Sequence, residues 1–260
     1  ALDRNEMRVV YQPKAECQTG KIVGMEALVR WENDEFGPIS PAEFVPIAES
    51  TGAIVQIGEW VLDQAAEFGG DLTDLGYDLL VSVNLSERQL REAGFQQMVI
   101  DILAENELPA ERLDLEITES LLMTDREVAV QALSELRMQG INISIDDFGT
   151  GYSSLGRLKS LPLDTLKIDR SFITDVTTDP NSASLVLALV TLAHNLGLKV
   201  IAEGVETEEQ LKFLKLIRCD EYQGYLLSKP VPRSDFLELV KRCSSGSAGN
   251  STAVHLCLAA

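Results

Sequence analysis

Glu26 in VGMEAL, Asn84 in VSVNLS, Glu116 in LDLEIT, Asp146 and Asp147 in ISIDDFG, and Glu203 in VIAEGVE all close strand-like apolar runs. A further run, TLKID, brings Lys167 into the same set. If those strands lie parallel, like-signed groups gather at one rim, where their repulsion calls for a cation. The donors are oxygens throughout, with Asn84 adding a neutral carbonyl. Such a set favours Mg²⁺ or Mn²⁺ over zinc, which recruits His or Cys. The adjacent Asp146 and Asp147 suit a two-metal centre, in which cations about 4 Å apart hold the attacking and leaving oxygens of a phosphoryl displacement. Lys167, the one base among these acids, is expected to stay protonated without metal and to act near the attacking water when metal is bound.

Neighbours on a strand point to opposite faces, so both aspartates reach one rim only if the strand ends there. Gly149 and Gly151, just beyond, permit a sharp exit and a movable loop. A single acid at a strand end is ordinarily solvated or caps the next helix. Five of them in register read as a site. His194, in an amphipathic helix, and His255, near the end of the chain, read as structural or incidental.

The elements that must position these residues alternate. Met7 to Lys14 and Ile22 to Leu28, joined by a turn at Gly20, read as an antiparallel opening pair. Helical spacing follows at 41–50 and 57–68. From there strands at 79–85, 113–118, 141–148, 165–168, 199–202 and 222–227 alternate with helices at 87–104, 125–139, 182–195, 207–216 and 234–242, and a short helix is expected near Ser154. Gly197 stands where a helix C-terminus wants a glycine. From Asn84 on, the polar strand ends recur 20 to 36 positions apart, one strand plus one crossover helix per step. Eight strands with alternating helices indicate a (β/α)8 TIM-like barrel with an antiparallel first strand, whose site lies at the carboxyl ends of its strands. A doubly wound sheet is the competing architecture, but no GxGxxG follows a first strand.

Composition narrows the chemistry. The 260 residues are 45% hydrophobic, enough for one large barrel, and the formal charge of -19 excludes a surface that tracks DNA or RNA polymers or acidic lipid. A phosphorylated substrate would need a local cation. Cys17, Cys219, Cys243 and Cys257 show no metal-ligand spacing and read as reduced thiols in the cytoplasm. No apolar run reaches the roughly 18 residues of a membrane span, and no signal segment opens the chain. The chain starts at Ala1 and reads as a domain, 1–243, cut from a longer protein, with a flexible Ser/Gly/Ala-rich tail at 244–260.

These residues together resemble the EAL family of cyclic di-GMP phosphodiesterases. The namesake triplet is Glu26-Ala27-Leu28, in EALVRW; YQP (11–13), VNLS (83–86), EITE (116–119), DDFGTGYSSL (146–155), KID (167–169), EGVE (203–206) and QGY (223–225) follow in order. The resemblance implies hydrolysis of cyclic di-GMP to linear pGpG with Mg²⁺ or Mn²⁺, inhibited by Ca²⁺. It further implies that Glu26, Asn84, Glu116 and Asp146 ligate one ion and that Asp146, Asp147 and Glu203 serve the second. Lys167 would orient or deprotonate water, with Asp169 in support. Arg30, Gln12, Leu28 and Gln223 would contact substrate, Glu119 would brace the loop after the aspartates, and Glu206 would support the rim. A homodimer linked to that loop, and fusion to sensory or signalling domains, follow from the same likeness. Leu227 departs from it, standing where an aromatic residue is expected.

Two other classes fit parts of the pattern. A module that binds cyclic di-GMP without cleaving it would lack some of these carboxylates. An enolase-like barrel would need a capping domain for which the chain has no room, and a glycosidase needs only two carboxylates.

Overall fold

In the computed structural model, which describes residues 1–118, 121, 126–149, 158 and 160–245, the chain opens with the expected hairpin. Strand β1 (Met7–Glu16) pairs antiparallel with β2 (Ile22–Asn33), Met7 opposite Trp31 and Gln12 opposite Glu26. Six parallel strands then follow from β2: β4 (Leu80–Leu85), β5 (Leu113–Thr118), β6 (Asn142–Phe148), β7 (Thr165–Ile168), β8 (Lys199–Ala202) and β9 (Glu221–Tyr222). The ring closes where β9 meets β1 antiparallel through Ala15–Tyr222 and Glu16–Glu221. This is the eight-stranded barrel with one reversed strand; a short β3 (Gly37–Ile39) extends the far end of β2 outside it.

Alternation along the strands divides the apolar from the polar. On β4, β5 and β6, Val81, Val83, Leu113, Leu115, Ile117, Ile143 and Ile145 are buried hydrophobes of the core. Their alternate neighbours Ser82, Asp114, Glu116 and Ser144 are equally buried yet polar. With a period of two, those neighbours share the opposite face, the barrel interior.

The helices start and stop where local chemistry says. Helices α1 (Pro41–Thr51) and α2 (Ala53–Asp74) are separated by Gly52 at φ 87°. The stretch expected as one helix from 87 to 104 is two, α3 (Glu87–Leu90) and α4 (Phe95–Glu105), because Gly94 enters the left-handed region at φ 84° between them. Helix α5 is Arg126–Met138, and α6 (Arg170–Thr174), which periodicity is too short to reveal, is capped by Asp169. Helix α7 (Pro180–Asn195) is followed by Gly197 at φ 77°, and α8 (Glu208–Leu216) opens with a Thr207/Gln210 capping box. Helix α9 runs Arg233–Ser245.

The last strand is shorter than its apolar run predicts. After Tyr222 the chain leaves the ladder to bond the loop beyond β8, Val205 donating to the Gln223 carbonyl at 3.1 Å and Leu226 to the Val205 carbonyl at 2.9 Å. The helix expected near Ser154 and the tail from 246 onward lie outside the described residues. No helix among the described residues is long and apolar enough to cross a membrane.

Aromatic packing fastens the ends of the fold. Phe236 of α9 lies edge-on to Phe68 of α2 at 5.8 Å and to Tyr11 of β1 at 6.3 Å, and it is fully buried. Truncating it removes the joint that ties the final helix to the reversed strand. Phe236→Ala is expected to destabilise the fold by about 3–5 kcal/mol, read from the midpoint of urea unfolding; a loss below about 1 kcal/mol would show that the last helix is dispensable.

Candidate metal centre at the barrel rim

The centre is built upward from Glu116. This carboxylate, 1% exposed on β5, is gripped from both sides. Its Oε1 accepts a hydrogen bond from the Lys14 ammonium, and its Oε2 accepts one from Lys167 at 2.5 Å. Lys167, on β7 and wholly buried, also lies 2.7 Å from Glu203 Oε1, 3.2 Å from Asp146 Oδ1 and 3.7 Å from Glu26 Oε2. Four carboxylates from β2, β5, β6 and the end of β8 thus converge on a single ammonium.

The titration of these groups records how far the negative charge exceeds the positive. Burial alone would raise Glu116, but the flanking Lys14 and Lys167 hold it down at about 2. Burial likewise opposes the charge on Lys167, yet Glu116, Glu203, Glu26 and Asp146 raise its pKa well above the ordinary range. One lysine cannot serve all four acids. Glu203 is pushed up to about 8 by burial and by Asp146, Glu26 and Glu116, despite its contact with Lys167. Glu26 is raised for the same reasons, burial first and then Glu116.

Asp146 and Asp147 reach the same rim where β6 ends, and a bulge in its last residues brings both there. The β6–β7 register slips between Ile145 and Phe148, and Asp147 takes φ 54°. The left-handed turn falls on Asp147 itself, before the glycines, and its amide donates to Asp146 Oδ1 at 2.8 Å. A bulge that re-aims two consecutive side chains is what the chemistry needs here. Ligand oxygens of Asp146, Asp147 and Glu203 then lie within 4.8 Å of one another. Gly149 follows at φ 101°, where a Cβ would stand 2.9 Å from the Phe172 ring.

The amide residues form a brace on the other side. Gln223 donates to Glu26 Oε2 at 2.7 Å and to Gln12 Oε1 at 3.0 Å, while Gln12 donates to the Ser228 carbonyl at 3.1 Å. Asn84 donates to Glu26 Oε1 at 2.7 Å, so both oxygens of Glu26 are oriented by amides. Gln223 Oε1 is buried without a hydrogen-bond partner among the described residues. Arg30 and Leu28 stand apart from the acids, lining a largely apolar cavity of about 400 Å³ with Pro41, Val45 and Ile57 beside Asn84. The Arg30 guanidinium is half-buried and donates to the carbonyl of Val29 at 2.8 Å.

Asp169 caps α6 by accepting from the Ser171 amide at 3.0 Å, and Asp147 is raised by burial first, then by the charges of Asp146 and Asp169. Glu206 pairs with Arg170 at 2.8 Å on the exposed shoulder of the rim. Glu119 and Gly151 lie outside the described residues.

A second polar layer beneath the rim is absent from the sequence reading. Lys14 donates to Ser82 Oγ at 2.6 Å, Ser82 to Asp114 Oδ2 at 2.7 Å, and Ser144 to Asp114 Oδ1 at 2.6 Å, all fully buried. The signal that reveals them is period two: Lys14, Ser82, Asp114 and Ser144 each lie two residues from Gln12, Asn84, Glu116 and Asp146 along the same strand.

The donor set fits a hard divalent cation. It is all oxygen, it clusters three carboxylates around one point, and it carries more negative charge than its lysine balances. The EAL domain family matches residues 1–230.

The chain belongs to the EAL domain family.

The bifunctional diguanylate cyclase/cyclic di-GMP phosphodiesterase MucR of Pseudomonas aeruginosa is 46% identical over 241 residues, covering 92% of this EAL domain and 35% of MucR. The signaling protein YkoW of Bacillus subtilis is 40% identical over 240 residues, covering 92% of the EAL domain and 30% of YkoW. The EAL domain therefore spans about a third of the curated relatives it matches. The solved PaMucR phosphodiesterase in complex with c-di-GMP superposes with a TM-score of 0.87 at 46% identity, over 91% of this chain and 96% of that one. The FimX EAL domain from Pseudomonas aeruginosa bound to c-di-GMP gives 0.81 at 25% identity, over 89% and 93%.

Metal binding by this EAL domain is expected to tighten as pH rises toward about 8, the value to which burial and neighbouring acids raise Glu203. Below it the carboxyl is neutral and must release its proton before it can ligate, so binding at neutral pH liberates protons. Isothermal titration of Mn²⁺ in buffers of different ionisation enthalpy checks this; an affinity indifferent to pH would contradict it.

Proposed function

We propose that this EAL domain hydrolyses cyclic di-GMP to linear 5′-pGpG. The observation that carries the reading is the convergence of Glu26, Glu116, Asp146 and Glu203 on Lys167, with anionic charge left over for dications. Two divalent ions, Mg²⁺ or Mn²⁺, when bound, supply Lewis-acid activation of the phosphodiester and of water.

The chain's own residues do the rest. Glu26, Asn84, Glu116 and Asp146 would hold one ion, and Asp146, Asp147 and Glu203 would hold the other. The Gln12–Gln223 brace and Asn84 keep Glu26 from rotating, since both its oxygens are already engaged. Lys167 holds a proton at Nζ against four carboxylates. With dications bound to those carboxylates, their hold on the Lys167 proton would weaken, and Nζ would orient the attacking water or take its proton. Water oxygen bonds to phosphorus, the bond from phosphorus to the ribose 3′ oxygen breaks, and that oxygen leaves as a hydroxyl after protonation. Asp169 supports this corner of the rim through its proximity to Asp147.

The apolar cavity beside the acids suits a flat purine, with Leu28 and Ile57 on its walls. Arg30, at its edge, has the planar donor geometry for a phosphate oxygen. The c-di-GMP complexes of the PaMucR and FimX EAL domains support cyclic di-GMP as the ligand. MucR, which pairs two activities in one protein, supports placing this domain in a longer signalling chain. We place it in the cytoplasm, in keeping with the free, buried Cys17 and Cys219, and as a homodimer inhibited by Ca²⁺.

Chromatography of cyclic di-GMP incubated with Mg²⁺, beside Ca²⁺ and metal-free samples, tests the reaction. Linear pGpG is expected with Mg²⁺ alone. In Glu26→Ala its rate is expected to fall roughly a thousandfold, the size of losing several kcal/mol of metal-borne charge stabilisation. Tight binding of cyclic di-GMP with no product under any metal would instead make the domain a receptor.

A further inference from the structure

Arg8 has no part in the reaction as described, and its place in the ladder is unfavourable. On the antiparallel β1–β2 hairpin it stands directly opposite Arg30. Like charges facing one another across two strands repel, so the pair costs the hairpin stability. Arg8 lies 3.5 Å from Glu32, and both side chains are more than half exposed, so water screens that ion pair and leaves it weak. Arg30 donates to a neutral partner, the Val29 carbonyl. The charge of Arg8 is felt there: burial first, and Arg8 with it, lower the Arg30 pKa, while Glu26 and Tyr225 raise it.

The hairpin turns both arginines to the face of the site. Arg8 is four residues from Gln12 on β1, and Arg30 is four from Glu26 on β2, so with a period of two all four side chains share one face. Strand β4 pairs with β2 only from Gly24 to Ala27, and beyond that point the hairpin continues past the barrel wall. Arg8 and Arg30 therefore stand roughly 13 Å further out than Glu26, at about 3.3 Å per residue. Cyclic di-GMP is a ring closed by two phosphodiesters, of which one is cleaved. Dications at the centre neutralise the phosphate that reacts. The other keeps its negative charge, and above a rim of carboxylates on a chain of formal charge -19 it needs a cation from the protein. Paired guanidiniums beyond the acids meet that need, and an anion between them relieves their mutual repulsion.

We propose that Arg8, together with Arg30, binds the phosphate of cyclic di-GMP that is not cleaved, and so holds the ring while its other linkage reacts. The inference rests on the cyclic di-GMP reading above, and it adds Arg8 to the residues that contact substrate.

Wild type, Arg8→Gln, Arg8→Lys and Glu32→Gln are compared by steady-state hydrolysis of cyclic di-GMP with Mg²⁺, and by equilibrium dialysis of cyclic di-GMP against Ca²⁺-loaded and metal-free protein. Arg8→Gln is expected to raise both KM and the dialysis Kd about tenfold, the size of losing one hydrogen bond to a charged group at a site open to water. Its kcat is expected to move less than about twofold, because the contact is the same in the bound substrate and in the transition state. Arg8→Lys keeps the charge and is expected to recover most of the loss. Glu32→Gln releases Arg8 from its surface pair and is expected to leave both constants unchanged or lower.

Constants for Arg8→Gln within about twofold of wild type would overturn the proposal. So would a loss in Glu32→Gln as large as that in Arg8→Gln, since the ion pair would then only brace the hairpin. A wild type that binds cyclic di-GMP in dialysis and never cleaves it would sink the phosphodiesterase reading, while the dialysis of Arg8→Gln still decides on Arg8. A wild type that neither binds nor cleaves it would remove the ligand, and this inference with it.

Discussion

Mutual repulsion among carboxylates at the mouth of the barrel is the constraint on which the rest of this structure depends. Five acids from four strands would not remain together in a low-dielectric rim unless cations neutralised them. The protein answers with two buried lysines on opposite oxygens of one glutamate. Lys14 comes from below and Lys167 from the rim, and their joint effect keeps Glu116 ionised where burial would neutralise it. The remaining charge is left unbalanced, and it falls on Glu203 and Glu26. An imbalance of this kind destabilises the apo fold and creates affinity for divalent metal by the same electrostatic term.

The reversed first strand is part of that solution. In an all-parallel barrel each strand brings its carboxyl end to the rim and its amino end to the floor. Strand β1 runs the other way, so Gln12 comes level with Glu26 and Lys14 sits further from the rim, opposite Gly24. One strand thereby supplies an amide to brace the rim and an ammonium to support the floor. The closing contact with β9 is short, two residue pairs, because the chain beyond Tyr222 is drawn away to carry Gln223 onto Glu26.

Much of this was legible in the chain. Each rim acid but Glu26, which lies mid-strand on β2, stood at the end of a run of β-branched and apolar residues, and spacing of a strand plus a helix is enough to imply a barrel and a shared rim. Lys167 stood out as the lone base among them. The local departures have local reasons. Gly94 splits a helix whose apolar periodicity continues across it, and the last strand stops early because backbone bonds to Val205 outcompete the ladder. The aspartates do stand where β6 ends, but the bulge at Asp147 was not legible, since a left-handed Asp carries no compositional mark.

The sequence by itself determined the type of donor at each strand end, the order in which the strands meet the rim, and membership of the EAL family, because these depend on residue type and on periods of two and three to four. Tertiary structure alone decided which charges touch. Lys14, Ser82, Asp114 and Ser144 come from four strands and are neighbours only after the barrel closes, so no local pattern pairs Lys14 with a glutamate 102 positions away. Closure also set Lys14 on one oxygen of Glu116 and Lys167 on the other.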